Sequence, residues 1–408
     1  MAKIAVVGSG ISGLTSAYLL SRDHQVTVYE ASDYLGGHTH THVIELEGRQ
    51  LNVDTGFIVY NDRTYPKFIR LLDQLGCTGL ATEMSFSVNR PGLEYNGHSM
   101  NTLFAQRRNL VNPSFLGMLL DILRFNRNAP AIGIEDGRSL GEYLSDEHYG
   151  AAFQQDYLVP MAAAIWSTGD TDVRHFPVRA LAHFFVNHGL VSLKNRPQWR
   201  VIAGGSNSYV KAMQSKIGEI KLSTPVNRIE RADEHVLVEA KGEKRQFDAV
   251  VIAVHSDQAL GLLEDPSRQE LEVLSPMRYS SNTATLHTDS SLLPKRKLAW
   301  ASWNYHSAKQ KEKATLTYNM NILSHIESNS DVLVTLNDAG EIDPEKILKT
   351  VHYEHPIFNH EMMLSQNRHA EISGVNRTHY CGAYWQYGFH EDGVVSALNV
   401  CQGFGVSL

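Results

Sequence analysis

Val6-Val7-Gly8-Ser9-Gly10-Ile11-Ser12-Gly13-Leu14 sets three glycines between two apolar segments near the start of the chain. Lys3 to Val7 reads as a buried strand, Ile11 to Leu20 as the helix after it, and Gln25 to Tyr29 as a second strand. A Gly-x-Gly-x-x-Gly turn between strand and helix is a dinucleotide fingerprint; without that context it would be an ordinary glycine-rich turn. Gly8 permits the tight turn, Gly10 lets the backbone approach a pyrophosphate, and Gly13 lets helix and strand pack closely. Ser9, Ile11 and Ser12 complete a loop whose N–H groups, at a helix N-terminus, attract an anion. Glu30 ends the second strand, with Ala31 behind it, where a carboxylate takes ribose hydroxyls and repels a 2′-phosphate.

Working outward, Leu35-Gly36-Gly37-His38-Thr39 adds a second glycine pair, as in flavoproteins whose longer cofactor runs past the first helix. FAD is therefore expected rather than NAD. Thr102 to Asn187 reads as mostly helical, interrupted by Pro113, Pro130, Pro160 and Pro177. Strand signals return at Ile220–Ile229, Val236–Glu239 and Phe247–Val254, then in a β-rich block from Ala284 to Leu336 with runs at Leu298–Trp303 and Val332–Leu336. Thr378 to Gly405 reads as strand, glycine- and aromatic-rich loop, and helix. The expected class is α/β: a Rossmann-like FAD-binding domain built from 1–60, 195–280 and 375–408, interleaved with an α+β substrate domain from 61–194 and 281–374.

The 408 residues, 42% apolar and 20% charged, allow two globular domains with ample core. A net charge of −7 argues against a nucleic-acid surface. Cys77, Cys381 and Cys401 lie far apart, which excludes a disulfide framework and a dithiol reductase and suits a reducing compartment. The N-terminus leaves no room for a signal peptide and no apolar run spans a bilayer, so a cytoplasmic protein is expected, at most peripheral to the inner face of the membrane.

Three further motifs carry a resemblance. Gly204-Gly205-Ser206 precedes a helix, Val226 lies in the Ile220–Ile229 strand signal, and Gly388-Phe389-His390-Glu391-Asp392-Gly393-Val394-Val395-Ser396-Ala397 opens the last helix. With the fingerprint they resemble the flavin amine-oxidase superfamily, which includes monoamine and polyamine oxidases, phytoene desaturases and protoporphyrinogen oxidase. The resemblance implies an amine-oxidase- or glutathione-reductase-like architecture. It implies cofactor contacts from Gly56, Phe57, Ile58, Val226, Ala253, Phe389, Glu391, Asp392, Gly393 and Val394, beside Gly36, Gly37, His38 and Thr39. It also implies a last-helix N-terminus facing the flavin pyrimidine, where its dipole stabilises negative charge. Two positions depart from the pattern: His38 replaces the usual arginine, and Ala383 follows Gly382 where an acidic residue is common.

Val53-Asp54-Thr55-Gly56-Phe57-Ile58-Val59-Tyr60-Asn61, Pro160-Met161-Ala162-Ala163-Ala164-Ile165-Trp166-Ser167, Trp300-Ala301-Ser302-Trp303-Asn304-Tyr305 and Gly382-Ala383-Tyr384-Trp385 are more specific. They are similar to predicted bacterial NAD/FAD-binding proteins related to the flavin half of plant cyclopropane fatty acid synthases. That similarity implies hydride transfer to flavin N5 from a small or lipid-like substrate with an unsaturated or methylated acyl chain, and a lipid methyltransferase as partner. Two alternatives stand beside it: a flavin amine oxidase, and a non-catalytic flavin scaffold for a lipid-modifying enzyme. His390, Tyr60, Trp303 and Tyr387 are the expected catalytic residues, His390 falling where amine oxidases place an aromatic-cage tyrosine; each aromatic could equally be core. Other candidates for the pocket are Trp166, His188, Tyr305, Tyr318 and Tyr384, and no lysine is placed like the flavin-N5 lysine of amine oxidases.

His38-Thr39-His40-Thr41-His42 would put three imidazoles on one strand face, a pattern that also suits metal. Its place after the glycine pair favours cofactor contact for His38 and no metal site. Finally, Asn112 and Pro113 open a helix on which Phe115 to Phe125 leave only a narrow polar stripe, Gly117, Asp121, Arg124 and Asn128. With Arg107, Arg108 and Arg127 near its ends, it reads as a membrane-facing helix or a buried one.

Overall fold

Strand β1 (Lys3–Val7) is buried at all but its first residue, as an apolar run must be when both faces of its sheet are covered. It pairs in parallel with β2 (Gln25–Tyr29) on one side and with Ala249–Ile252 on the other; Glu219–Lys221 and Thr378–Tyr380 complete a five-stranded parallel sheet. Helix α1 (Ile11–Leu20) follows β1, buried along nearly its whole length between the sheet and the C-terminal helix His390–Gly403. This is a computed structural model, and it describes residues 1–133, 135–167, 169–192, 194–306 and 315–408, the side chains of 170 and 171 excepted.

A second, seven-stranded sheet runs in the order Ile347–Pro356, Tyr279–His287, Leu333–Leu336, Thr315–Asn319, Trp303–His306, Phe86–Arg90, Leu93–Asn96. Its pairings are antiparallel except for Trp303–His306 beside Phe86–Arg90. Part of the β-rich block, residues 307–314, lies outside the described residues. Leu298–Trp303 is not a strand: Lys297–Ala299 is a 3₁₀ turn and the strand begins at Trp303. The cause is local, since Trp300 Nε1 donates to the Pro294 carbonyl (2.7 Å) and Asn304 closes the loop through the backbone of Ala301. Ile220–Ile229 likewise splits in two, with a turn through Ser223 at φ +48°.

Pro160 does not interrupt its helix. The chain continues from Ala151 to Trp166 through a π turn at Gln154–Leu158, which accommodates the missing proline N–H. Helix Pro113–Asn128 is capped by Asn112, whose Oδ1 accepts from the Ser114 N–H at 3.1 Å. Its expected polar stripe faces protein: Asp121 accepts the Gly150 N–H (2.8 Å) and pairs with Arg124 (3.0 Å), which lies over the Tyr149 ring. Phe115, Met118 and Phe125 enter the core, while Leu116, Leu120 and Leu123 face outward, Leu120 at 68% exposure. The helix is therefore half-buried, with an apolar stripe in solvent.

Candidate functional site: a cavity along the dinucleotide loop

The β1–α1 turn opens onto a cavity of about 1980 Å³ that extends from Gly8–Ser12 to an aromatic chamber between the two sheets. Ligand pockets are commonly about 300–1,000 Å³, so this one has room for a dinucleotide and a second molecule. At the turn, the Ser9 N–H and Oγ both donate to Glu30 Oε2 (2.9 and 2.5 Å), and the Ser32 N–H donates to Oε1 (2.8 Å). These donors hold the Glu30 carboxylate against the cavity wall. A Cβ on Gly13 would stand 2.0 Å from the Gly8 carbonyl, so that glycine is demanded by helix–strand packing. On Gly10 a Cβ would meet nothing within 4 Å; the fold itself makes no demand there.

The second glycine pair lies against the first turn. Gly37, at φ +58°, would bring a Cβ within 3.3 Å of Gly10 Cα, and a Cβ on Gly56 would stand 2.1 Å from the His38 carbonyl. The Phe57 N–H donates to that carbonyl (2.8 Å), so 36–38 and 56–58 form one wall beside the phosphate loop. Gly8, Ser9, Gly10, Ile11, Ser12, Glu30, Ala31, Gly36, Gly37, His38, Gly56, Phe57, Ile58, Val226, Ala253 and Phe389 all line the cavity, as do His390, Trp303 and Tyr387.

Seven expected site residues lie elsewhere. Gly13 packs α1 on β1 as described, and Thr39 is buried with its Oγ1 against Tyr209 Oη. Tyr60 sits in the core with its ring edge-on to Tyr65 and Phe68. Glu391 accepts the Lys67 and Phe68 N–H groups (3.0 and 2.8 Å), capping helix Pro66–Leu75. Asp392 accepts the Phe389 N–H (2.9 Å) at the start of its own helix, and burial pushes its carboxyl up to about 7. Gly393, where a Cβ would meet Ile11 Cγ2 at 2.6 Å, and fully buried Val394 seat the last helix against α1. These four lie behind the cavity wall because one helical turn spreads its residues over every direction.

His390 stacks on Phe57, and its Nε2 lies 2.7 Å from Tyr209 Oη and 3.1 Å from Thr39 Oγ1. Burial pulls the ring down to about 3, so it is neutral. The chamber beyond is aromatic. Phe184 stacks on Phe389 and His188 (centroids 4.9 and 3.8 Å apart), and Tyr387 Oη hydrogen-bonds His183 (2.9 Å). His188 Nδ1 donates to the Phe184 carbonyl (3.0 Å), which leaves Nε2 unprotonated, and burial lowers the ring to about 4. Trp166, Tyr318 and Tyr384 line the cavity, whereas Tyr305 is buried outside it.

The histidine run does not share one face. His40 and His42 are neighbours, His40 stacking on Tyr34, whereas His38 turns to Tyr353, His355 and His255. Among the described residues no three His, Cys, Asp or Glu side chains form a metal-binding group, and no lysine lines the cavity. Sequence reasoning missed His255, Tyr279, Tyr353 and His355. His255 was the legible one: it follows the strand Ala249–Ile252 at the carboxyl edge of the parallel sheet, where ligands of such sheets bind.

The residues fit FAD. A helix N-terminus stands ready for the diphosphate and Glu30 for the ribose. Two cavity-lining residues, His38 and Trp303, carry ring nitrogens buried without a hydrogen-bond partner among the described residues. Residues 11–320 match the sequence profile of flavin-containing amine oxidoreductases. A flavin-dependent L-tryptophan oxidase of Lentzea aerocolonigenes is 24% identical over 315 residues, 69% of this chain and 64% of that relative. Other curated relatives match over stretches that make up 14% of their length, so the chain covers under two thirds of each. The cyclohexylamine oxidase of Brevibacterium oxydans IH-35A superposes over 99% of both chains at TM-score 0.70 and 15% identity. A fatty acid isomerase of P. acnes, producing CLA, superposes over 99% of this chain and 98% of its own at TM-score 0.69 and 14% identity. At such identities these two likenesses describe the fold.

Proposed function

We propose, for a chain that belongs to the flavin-containing amine oxidoreductase family, that it is an FAD-dependent oxidoreductase acting on an unsaturated or methylated acyl chain. Bound FAD supplies a two-electron acceptor for hydride. The observation that carries the substrate class is the chamber: its inner wall is Met84, Phe86, Met161, Ile165, Trp166, Phe184, Phe358 and Phe389, with Tyr387, Trp303 and neutral His188 among them. An acyl chain buries apolar area against such a wall without losing hydration, whereas an ammonium would have to be repaid for its hydration by the few carboxylates of the cavity. Trp303 and Tyr387 shape the chamber. His390, through Thr39 and Tyr209, holds the start of the last helix beside Phe57. When the substrate loses a hydride it also sheds a proton, leaving a new double bond; the Nε2 of His188 can relay that proton toward solvent but, with burial holding its ring at about 4, does not keep it.

Amine oxidation is the second reading, favoured by the cavity-lining carboxylates Glu83 and Glu354 and by the amino-acid-oxidising relative. The test is anaerobic bleaching of the flavin. Bleaching by unsaturated fatty acyl substrates and not by primary amines supports the first reading. The reverse selects the second, and bleaching by neither leaves a flavin-binding scaffold for a lipid methyltransferase.

The acyl reading also includes a cytoplasmic protein in peripheral contact with a membrane. Met100 lines the cavity and is 70% exposed, its neighbour Asn101 accepts from Arg107, and Leu110, Val111, Leu116 and Leu120 are exposed as well. No helix among the described residues is long and apolar enough to cross a membrane.

A further inference from the structure

The diphosphate of FAD brings two negative charges to the Gly8–Gly13 turn, and the N-terminus of α1 offers roughly half a positive charge. Among the described residues the cavity holds one fixed cation, Arg196, on the segment that closes the aromatic chamber with Trp199 and His188. Beside the turn stand histidines instead. His38 follows Gly37, which touches Gly10, and its ring centroid lies 5.3 Å from that of His355 and 6.1 Å from that of His255. His255 comes from the segment Ala253–His255, whose Ala253 carbonyl and Val254 side chain would each lie 2.9 Å from a Cβ on Gly8. Three imidazoles, from three separate stretches of chain, thus gather where the 37–38 and 253–255 segments pack against the turn.

We propose that His38, supported by His255 and His355, is the anion-binding group for the cofactor's diphosphate and takes up a proton from solvent when FAD binds. The inference rests on the FAD reading of the cavity. Its chemistry follows from the His38 tautomer. Nε2 is buried without a hydrogen-bond partner among the described residues, so a neutral ring that keeps its proton on Nδ1, beside the Glu354 backbone, presents a lone pair at Nε2. A lone pair facing a phosphate oxygen repels it; protonated, the same atom becomes a charged donor.

The surroundings keep the His38 ring neutral. Burial and the neighbouring His355, His255 and His390 hold the His38 ring well below its ordinary value, and Tyr353 stacks on it. His255 stacks on Tyr279, with Glu354 3.4 Å from its Nδ1 and Asp257 nearby favouring its charged form; burial outweighs both and lowers it. His355 Nδ1 accepts from Asn282 at 2.9 Å. An incoming dianion reverses the balance at His38, because opposite charge within a few ångströms favours the protonated ring. The sign is fixed by linkage. The complex holds a proton that the free protein lacks, so affinity rises as pH falls between the two values, approaching about tenfold per pH unit.

The test uses the full chain stripped of FAD and titrated calorimetrically with FAD at pH 7 in two buffers of different ionisation enthalpy, with riboflavin, which lacks the diphosphate, alongside. The inference requires uptake of close to one proton per FAD, none per riboflavin, and tighter FAD binding at pH 6 than at pH 8. His38→Arg, carrying a fixed charge, should bind FAD equally at both pH values, and His38→Gln should bind at pH 6 as weakly as wild type does at pH 8. FAD binding with no proton uptake and a flat pH dependence overturns the inference while leaving the FAD reading intact. A chain that binds no FAD at any pH overturns both. If neither variant folds, the proton count on the wild-type chain still decides.

Discussion

Gly10 and Gly13 stand three residues apart in one turn, yet different things require them to be glycine. Gly13 answers to the Gly8 carbonyl, so Gly13→Ala should lower the unfolding midpoint of the FAD-free chain by several degrees. Gly10 answers to nothing in the protein, so Gly10→Ala should leave that midpoint in place and weaken FAD binding instead. Measuring both quantities on both variants checks the pair; a destabilised Gly10→Ala would mean that the turn is packed more tightly than the structure shows. Glu30→Ala should weaken FAD binding by about 1.5–3 kcal/mol through lost charge-assisted hydrogen bonds, read by flavin fluorescence titration. Residue types and spacing made these positions legible because the chemistry is local. Tyr60 shows the converse: its ring lies in the core, and a two-residue strand says nothing of which face meets a ligand.

At the scale of elements, the last helix and the helix after Asn112 carry separate expectations. The strand Thr378–Tyr380 closes the parallel sheet, and Gly393 lets the last helix touch α1 through Ile11. We propose that the flavin unit is assembled from 1–60, 195–280 and 375–408 and the substrate unit from 61–194 and 281–374. A chain truncated before Gly382 should then lose FAD with its fingerprint intact, and retained tight binding would refute that division. Helix Pro113–Asn128 presents Leu116, Leu120 and Leu123 to solvent, so Leu120→Glu should fold and hold FAD normally while losing sedimentation with anionic liposomes. Wild type remaining in the supernatant at low salt would end the membrane reading. The run from Phe115 to Phe125 showed that the helix was apolar on several sides. It could not show that Asp121 and Arg124, the polar stripe, would be the side turned to the 148–150 segment.

For the whole molecule, buried histidines set the response to acid. Burial lowers His42, His188, His287 and His379 to about 4 and His390 to about 3. Below the unfolded value near 6.5 the unfolded chain binds protons that the folded chain refuses, so their stabilisation, full above that pH, is lost as pH falls toward 4. Asp54, raised to about 6, and Asp392, raised to about 7, work the other way over the same interval. Five groups against two predict a net loss, and the unfolding midpoint of the FAD-free chain should fall steadily from pH 7 to pH 4.5. A midpoint that rises on acidification would show the carboxylates to dominate.

The order strand, Gly-x-Gly-x-x-Gly, helix, strand, acid determined the dinucleotide unit by itself, because its demands are met within thirty consecutive residues. The glycine pair at Gly36-Gly37 added the longer cofactor in the same local way. Only the tertiary structure decided which side chains share the cavity. His38, His255 and His355 belong to three stretches of chain, the last two at the end of the parallel sheet and on a strand of the seven-stranded one, that meet only in the folded chain. Glu391, Asp392 and Gly393, adjacent to His390 in sequence, point instead into a cap and a helix crossing. Periodicity tells which residues share a face of one element; which face meets a ligand depends on what packs against the others.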